Sequence, residues 1–349
     1  MFAERSPASL WPGSEERVPV SSRSSPPVSS RRRLVLHIDL NNTVLVSDSV
    51  TGLGTEAALD GFLPGVTWGR VHKGQWEWLN AVSYFSQFGR TAAFTSSSTG
   101  RPSLCPQPDT DLSVRGEDGR LYHWLLPSFF QLLIDLTSEG VDFAVVFRTF
   151  GTDLPRVLRA VSRVLREGHP LFHKLPQMFV DETPGKIRCS QKGVVLSRGP
   201  ERVTSAGDDG ARRLYSCLSA AHGIQGFRDH FDWWAGHSFS LAGGKPLWID
   251  PFDPEVQHIF IDDNIRLSDQ DTIVHPMVFS APGSSIARSA SSSELYDVAL
   301  VQTDLLQAIA DPHYFTRKVH ECEDNYRHNL LHEVSATDLV TRAASLCSV

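Results

Sequence analysis

The chain is expected to fold as an α/β protein with a Rossmann-like, mainly parallel sheet flanked by helices and carrying irregular cap insertions. Two observations predict this: apolar runs alternate with helical patterns, and three of the runs stop abruptly at a polar residue. The runs are Leu34–Ile38 ahead of Asp39, Asp142–Phe147 ahead of Arg148-Thr149, and Val256–Ile261 ahead of Asp262-Asp263. Each suits a strand covered on both faces. Parallel strands bring their carboxyl ends to one edge of a sheet, where the loops leave a crevice for ligands.

Residues 1–32 are rich in Ser, Pro and Arg without an apolar period, and read as a disordered tail whose Arg31-Arg32-Arg33 cluster marks a solvated edge. The α/β core is assigned to 33–49 and 121–335. Val44 to Gly52 reads as a short extended segment with a turn, overhanging Asp39. Residues 50–120 form a cap-like insertion in which Trp76, Leu79, Val82 and Phe85 recur at a helical spacing, and the prolines of 101–119 mark a loop. A helix is predicted over Trp124–Glu139, with Pro127 in its first turn and Gly140 at its end. After the strand at 142–147, Val157, Leu158, Val161, Val164 and Leu165 mark a helix that runs from Asp153 and Pro155 to Gly168. Gln177–Val180 is a short strand candidate. A second insertion is placed at about 181–240, polar and turn-rich from Ile187 to Gly210, then helical over Arg212–His222. Strands follow at Val256–Ile261 and Thr272–Phe279. A helical pattern from Asp304 to Leu331 is broken by Pro312, and 336–349 is a C-terminal tail.

A length of 349 residues suffices for a large core, and 41% hydrophobic with 21% charged residues is a soluble globular composition. The net charge of -7 lacks the basic footprint of a nucleic-acid binder. No stretch approaches the roughly 18 apolar residues of a membrane span, so neither nucleic acid nor membrane is expected as a partner. The five cysteines are scattered without a CxxC pair, which fits a reducing compartment and a cytoplasmic location. The Arg- and Ser-rich tail keeps organelle targeting as an alternative, against which Glu4, Glu15 and Glu16 stand. There is no HExxH, no GxGxxG after the first strand and no GxxxxGK[ST], which argues against zinc hydrolysis and against nucleotide-loop chemistry.

Asp39, Thr149 and Asp262-Asp263 therefore meet at one sheet edge. Three carboxylates and a hydroxyl make an oxygen-rich site suited to Mg²⁺, and Lys245 adds the positive charge that an anionic substrate needs. The plainer alternatives are a turn-starting acidic pair at 262–263 and a capping threonine at 149. Lys174, Lys186 and Lys192 compete with Lys245 for its role.

In order and rough spacing across residues 33–280, these motifs resemble the haloacid dehalogenase-like (HAD) hydrolase superfamily. Asp39-Leu40-Asn41-Asn42-Thr43 is similar to its D-x-D-x-T motif except at the third position; Thr149, Lys245-Pro246 and Asp262-Asp263 fit the second, third and fourth motifs. The resemblance implies a Mg²⁺-dependent phosphohydrolase of a phosphorylated small molecule or protein. Asp39 would be the nucleophile that forms an aspartyl-phosphate, and Thr149 and Lys245 would bind the transferring group. Asp39, the backbone carbonyl of Asn41, Asp262 and Asp263 would hold the metal. Asn41 departs from the pattern: phosphatases of the family carry an aspartate there as general acid and base, and an amide can be neither. A catalytically inactive HAD-like binding or regulatory protein is the alternative that Asn41 motivates.

Overall fold

The computed structural model describes residues 31–45, 69–72, 75–78, 112–115, 121–169 and 171–328. The tail up to residue 30, most of the cap-like 50–120 region, the segment after Leu45 and the C-terminal tail lie outside the described residues. In chain order the strands are β1 (Arg33–Ile38), β2 (Gly69–His72), β3 (Gln75–Trp78), β4 (Ser113–Arg115), β5 (Leu121–His123), β6 (Phe143–Thr149), β7 (Gly185–Ser190) and β8 (Gly193–Arg198). They continue with β9 (Glu201–Thr204), β10 (Ile224–Arg228), β11 (Lys245–Ile249), β12 (Val256–Asp262), β13 (Val274–Phe279), β14 (Ala287–Ser289) and β15 (Leu300–Gln302). The helices are α1 (Pro127–Ser138), α2 (Leu154–Glu167), α3 (Gly210–Ser219), α4 (Phe231–Gly236), α5 (Ser292–Leu295), α6 (Leu305–Ala310) and α7, residues 314–328.

The protein is an α/β structure built on an eight-stranded sheet in the order β15-β12-β1-β6-β10-β7-β8-β9. The pairings from β15 to β7 are parallel, and β8 and β9 extend the sheet as antiparallel strands. This is a large, mostly parallel central sheet flanked by helices, compatible with a Rossmann-like fold. From β1 the chain moves to one side, through β6 and β10; it later returns to the other side, through β12 and β15. The connections leaving the carboxyl ends of β1 and β12 thus diverge, and such a switch point opens a crevice.

Alternation along β1 divides the core. Leu34, Leu36 and Ile38 join α1, α2, α6 and α7 on one face, while Val35 faces α3 and the smaller β11-β13-β14 sheet on the other. The entrance of β1 is clamped rather than solvated: Arg31 donates to Glu139 and Glu323, and Arg33 donates to the carbonyl of Ser219.

Helix α1 ends where Gly140 takes φ +71°, with Gly140 N–H donating to Thr137 O and Val141 N–H to Leu136 O. These are the two bonds of a Schellman cap, and they turn the chain straight into β6. Four expectations are corrected or refined. Gln177–Val180 is not a strand: only Val180 makes a bridge, to Ile224. Gln75–Trp78 pairs with Gly69–His72 as a strand where the spacing of Trp76 predicts helix, and Leu79–Phe85 lie outside the described residues. The Thr272–Phe279 run is a strand, but in the smaller sheet, paired with β11. Of the stretch marked as an insertion at about 181–240, residues 185–228 supply β7 to β10 to the central sheet.

Gly223 sits at the mouth of β10 with φ +60°, and a Cβ there would run into the carbonyl of Phe179, whereas Gly199 at φ +53° has open space around it. Gly199→Ala should lose about 1–2 kcal/mol for the left-handed backbone alone. Gly223→Ala should lose clearly more in urea unfolding; equal losses would show that the close approach is not what requires glycine.

Candidate functional site

The strand ends converge as the sequence predicts. Asp39 follows β1 immediately, its N–H donating to Ile261 O at 2.9 Å, so the carboxylate is fixed against β12 by the sheet ladder itself. The chain then turns back: Val44 and Leu45 N–H groups both donate to Leu40 O, at 3.0 and 2.8 Å, and Asn42 takes φ +56°. Asparagine tolerates this left-handed geometry better than most residues. Thr43 Oγ1 accepts the N–H of Asp263 at 3.1 Å and so ties the turn after β1 to the turn after β12.

Asp262 is fully buried at the end of β12, and its Oδ1 accepts Asn264 N–H at 2.8 Å. Asp263 is also buried, and its carboxylate receives the Asn264 amide at 3.2 and 3.3 Å. Thr149 closes β6; its Oγ1 accepts Gly151 N–H at 3.0 Å, which leaves the hydroxyl proton to donate. The hydroxyl thus serves a local turn and also lines the cavity above Asp39.

Lys245 opens β11 and reaches back under the small sheet. Its Nζ donates to Asp39 Oδ1 at 2.6 Å, Asp262 Oδ2 at 2.8 Å and Arg148 O at 3.0 Å, so all three ammonium protons are committed. Lys174, Lys186 and Lys192 are exposed, and Lys245 is the lysine brought to the carboxylates.

The carboxylate oxygens of Asp39, Asp262 and Asp263 lie within 4.8 Å of one another, the one such group among the described residues that could hold a metal ion. Against three carboxylates stands a single ammonium. Burial pushes the Asp39 carboxyl up, to about 7, with Lys245 opposing and Asp262 adding to the rise. Burial raises Asp263 well above the carboxylate range, and Asp262 and Asp39 raise it further. Burial alone would lower Lys245, but the two aspartates reverse the sign and raise it. All-oxygen donors carrying surplus negative charge fit a hard divalent cation. Asn41, nearly buried, lines the same cavity with Asn42 and Asn264.

Sequence reasoning missed two features. The first is a buried polar chain under the site. Arg148, with no exposed surface, forms a double hydrogen bond with Asp229 at 2.7 and 2.9 Å and donates to Pro246 O at 3.0 Å. Arg148 Nη1 lies 3.5 Å from His37 Nδ1; His37 pairs with His258 at 2.9 Å, and His258 with Ser219 Oγ at 2.9 Å. Burial holds both imidazoles neutral, His258 down to about 3. The signal was an arginine inside an apolar run, since a charge there must have a partner. The second is an aromatic wall. Phe150, Phe231, Trp234 and Phe239 line the cavity, which measures about 280 Å³. Ser238 and Phe239 both take positive φ, 55° and 59°, an arrangement that costs about 1–2 kcal/mol per residue. The turn is held by Phe239 N–H on Trp234 O and by Trp234 Nε1 on Thr272 O, both at 3.0 Å.

The fold and site together define an α/β protein with a buried carboxylate–lysine centre at the switch point of its sheet. Comparison with protein-family models, with curated proteins and with solved structures finds no match. Among the described residues, no helix is long and apolar enough to cross a membrane.

Two outcomes are expected. Asp39 and Asp263 bind protons more tightly folded than unfolded, so their contribution to stability falls as pH rises above the ordinary carboxylate range, for Asp39 through about 7. The neutral histidines act oppositely, losing stability as pH falls below about 6.5. Thermal melts of wild type and Asp263→Asn without divalent ions isolate the first effect: the variant should melt higher at pH 8, with the gap narrowing steadily as pH falls toward about 4. Arg148→Met should cost about 3–5 kcal/mol in denaturant unfolding by stranding Asp229, and Arg148→Met with Asp229→Leu should recover most of it.

Proposed function

We propose that the protein is a HAD-type, Mg²⁺-dependent phosphohydrolase that works through an aspartyl-phosphate on Asp39. The observation that carries this reading is Lys245 Nζ, which bridges Asp39 and Asp262 while Asp263 and Thr149 border the same cavity. Four motif residues far apart in sequence share one switch-point crevice, in support of the resemblance drawn from their order.

In this mechanism the substrate phosphate enters with its oxygens toward the Thr149 hydroxyl and the Lys245 ammonium. Asp39 attacks phosphorus through a carboxylate oxygen, and the leaving oxygen departs on the opposite side. Lys245 favours the ionised form of Asp39 against the effect of burial and orients it, and its charge offsets that of the transferring group. Asp39, Asp262 and Asp263, with the Asn41 carbonyl, would hold the cation, which when bound supplies further charge neutralisation to the phosphoryl group. Water then attacks phosphorus and releases orthophosphate, restoring the Asp39 carboxylate. Without acid–base help from residue 41, each step forgoes a factor of about 10²–10⁴.

Asn41 favours a second reading, a scaffold of this type that binds a phosphorylated small molecule or protein without turning it over. Hydrolysis of a phosphate-ester panel with Mg²⁺ separates the two. Asp39→Asn should abolish turnover while melting no lower than wild type without metal, because it removes a crowded negative charge. Asn41→Asp should raise kcat by about tenfold or more, toward the acid–base range of about 10²–10⁴. Turnover unaffected by Asp39→Asn would refute the nucleophile. Mg²⁺ at about 100 times its dissociation constant should stabilise wild type by about 2.7 kcal/mol. Asp263→Asn should lose most of that gain.

A further inference from the structure

The cavity changes character from floor to mouth. Asp39, Thr149 and Lys245 form a charged floor. Phe150 follows Thr149 directly and sets its ring 4.9 Å from Lys245 Nζ. Trp234 stacks on Phe150 at 5.4 Å and 19°, and Phe239 meets Trp234 edge-on at 5.0 Å. Phe239 is 45% exposed and makes an apolar lip. At about 280 Å³, this cavity lies at the small end of the roughly 300–1,000 Å³ of ligand pockets, a size for one ring and one phosphate.

Asn41 adds an independent constraint. An amide can donate a hydrogen bond to a departing oxygen but cannot transfer a proton to it, and the three protons of Lys245 are committed. A leaving group that departs unprotonated must be stable as an anion. An alkoxide is not; a phenolate is, and its ring matches the wall that begins at Phe150.

Resting on the phosphohydrolase reading above, we infer that the substrates of this site are aryl phosphates, monoesters of phosphate with a phenolic oxygen. Asp39 forms a bond to phosphorus as the bond from phosphorus to the phenolic oxygen breaks, and the electron pair leaves on the phenolate, which takes a proton from water. A second water attacks phosphorus, the bond to Asp39 breaks, and a proton is released. The two protons cancel, so one water is consumed for each phenol and orthophosphate formed.

The test measures kcat/KM of the full chain with Mg²⁺ on five substrates: substituted phenyl phosphates of graded leaving-group acidity, free phosphotyrosine, a phosphotyrosyl peptide, glycerol 3-phosphate, and hexafluoroisopropyl phosphate. The last is a non-aromatic ester whose alcohol is about as acidic as phenol. We expect a loss of about tenfold per unit of leaving-group pKa, the limit of full charge on the departing oxygen, and a shallower dependence in Asn41→Asp. Phenyl phosphate should exceed hexafluoroisopropyl phosphate by about tenfold. Phe239→Ala should narrow that ratio about three- to tenfold, the worth of one aromatic contact, and Phe239→Trp should restore it. A peptide faster than free phosphotyrosine assigns the source to proteins, and the reverse to small molecules; either upholds the inference. A flat leaving-group dependence, or a phenyl ratio near one, overturns it while leaving the phosphohydrolase reading in place. No turnover of any ester overturns both.

Discussion

An ammonium with every proton committed sits where the two sheets meet, and two of its partners are carboxylates on neighbouring strands of the central sheet. Taking such ions out of water costs several kcal/mol for each, recovered only when geometry and partners are good, and stranding one member of a buried pair costs about 3–5 kcal/mol. Lys245 therefore fixes more than its own position. For Nζ to reach Asp39 and Asp262, β11 must start beside the crevice, and the small sheet must pack on the face of the central sheet that carries Val35 and Phe260. The ammonium also leaves the cluster incompletely neutralised. The upward displacement of Asp39 and Asp263 comes first from burial and then from the neighbouring carboxylates, and a bound cation would oppose both.

Arg148 secures this arrangement from below. Its side chain holds Pro246 O while its own carbonyl receives Lys245 Nζ, so one residue grips the start of β11 twice. Asp229 neutralises the guanidinium, and the ring of Phe260 lies 5.2 Å from it. The histidine pair continues the chain of polar contacts across β1 and β12 to Ser219 on α3. A fully apolar layer could be more stable, since buried polar networks often break even or worse against hydrophobic packing. What the network adds is register. Arg148 and Asp229 lie at the ends of neighbouring strands, and a slip of either would separate them.

Strands β1, β6 and β12 were legible because burial on both faces leaves unbroken apolar runs, and helices α1 and α2 because a proline and a glycine mark their ends. The site was legible to the extent that strand ends display it: Asp39, Thr149, Asp262 and Asp263 are each the first polar residue, or close to it, after an apolar run. Lys245 was harder, because a lysine at the start of a strand resembles one on a surface until its partners are known. β7 to β9 were not legible: their faces alternate between buried Ile187 and Cys189 and exposed Lys186 and Arg188, and short polar strands resemble loops. The aromatic wall was lost for another reason. Phe231, Trp234 and Phe239 belong to a short helix and a turn of two left-handed residues, for which no sequence period exists.

That turn and Asn41 bear on the same question, since Phe239 and Asn41 line one cavity. A strained backbone at Ser238 and Phe239 persists only if surrounding contacts over-determine it, and such strain gathers where a surface must be presented rather than merely packed. The contacts that hold it, from Trp234 and His237, are local and leave Phe239 at the mouth. Asn41 lines the same cavity, and its amide cannot act as a general acid or base. An aspartate there would add a fourth carboxylate beside Asp39, Asp262 and Asp263, so the amide spares the cluster further repulsion. Under the aryl phosphate reading proposed above, the two features are compatible: the leaving group would supply its own stability as an anion, and the wall its binding.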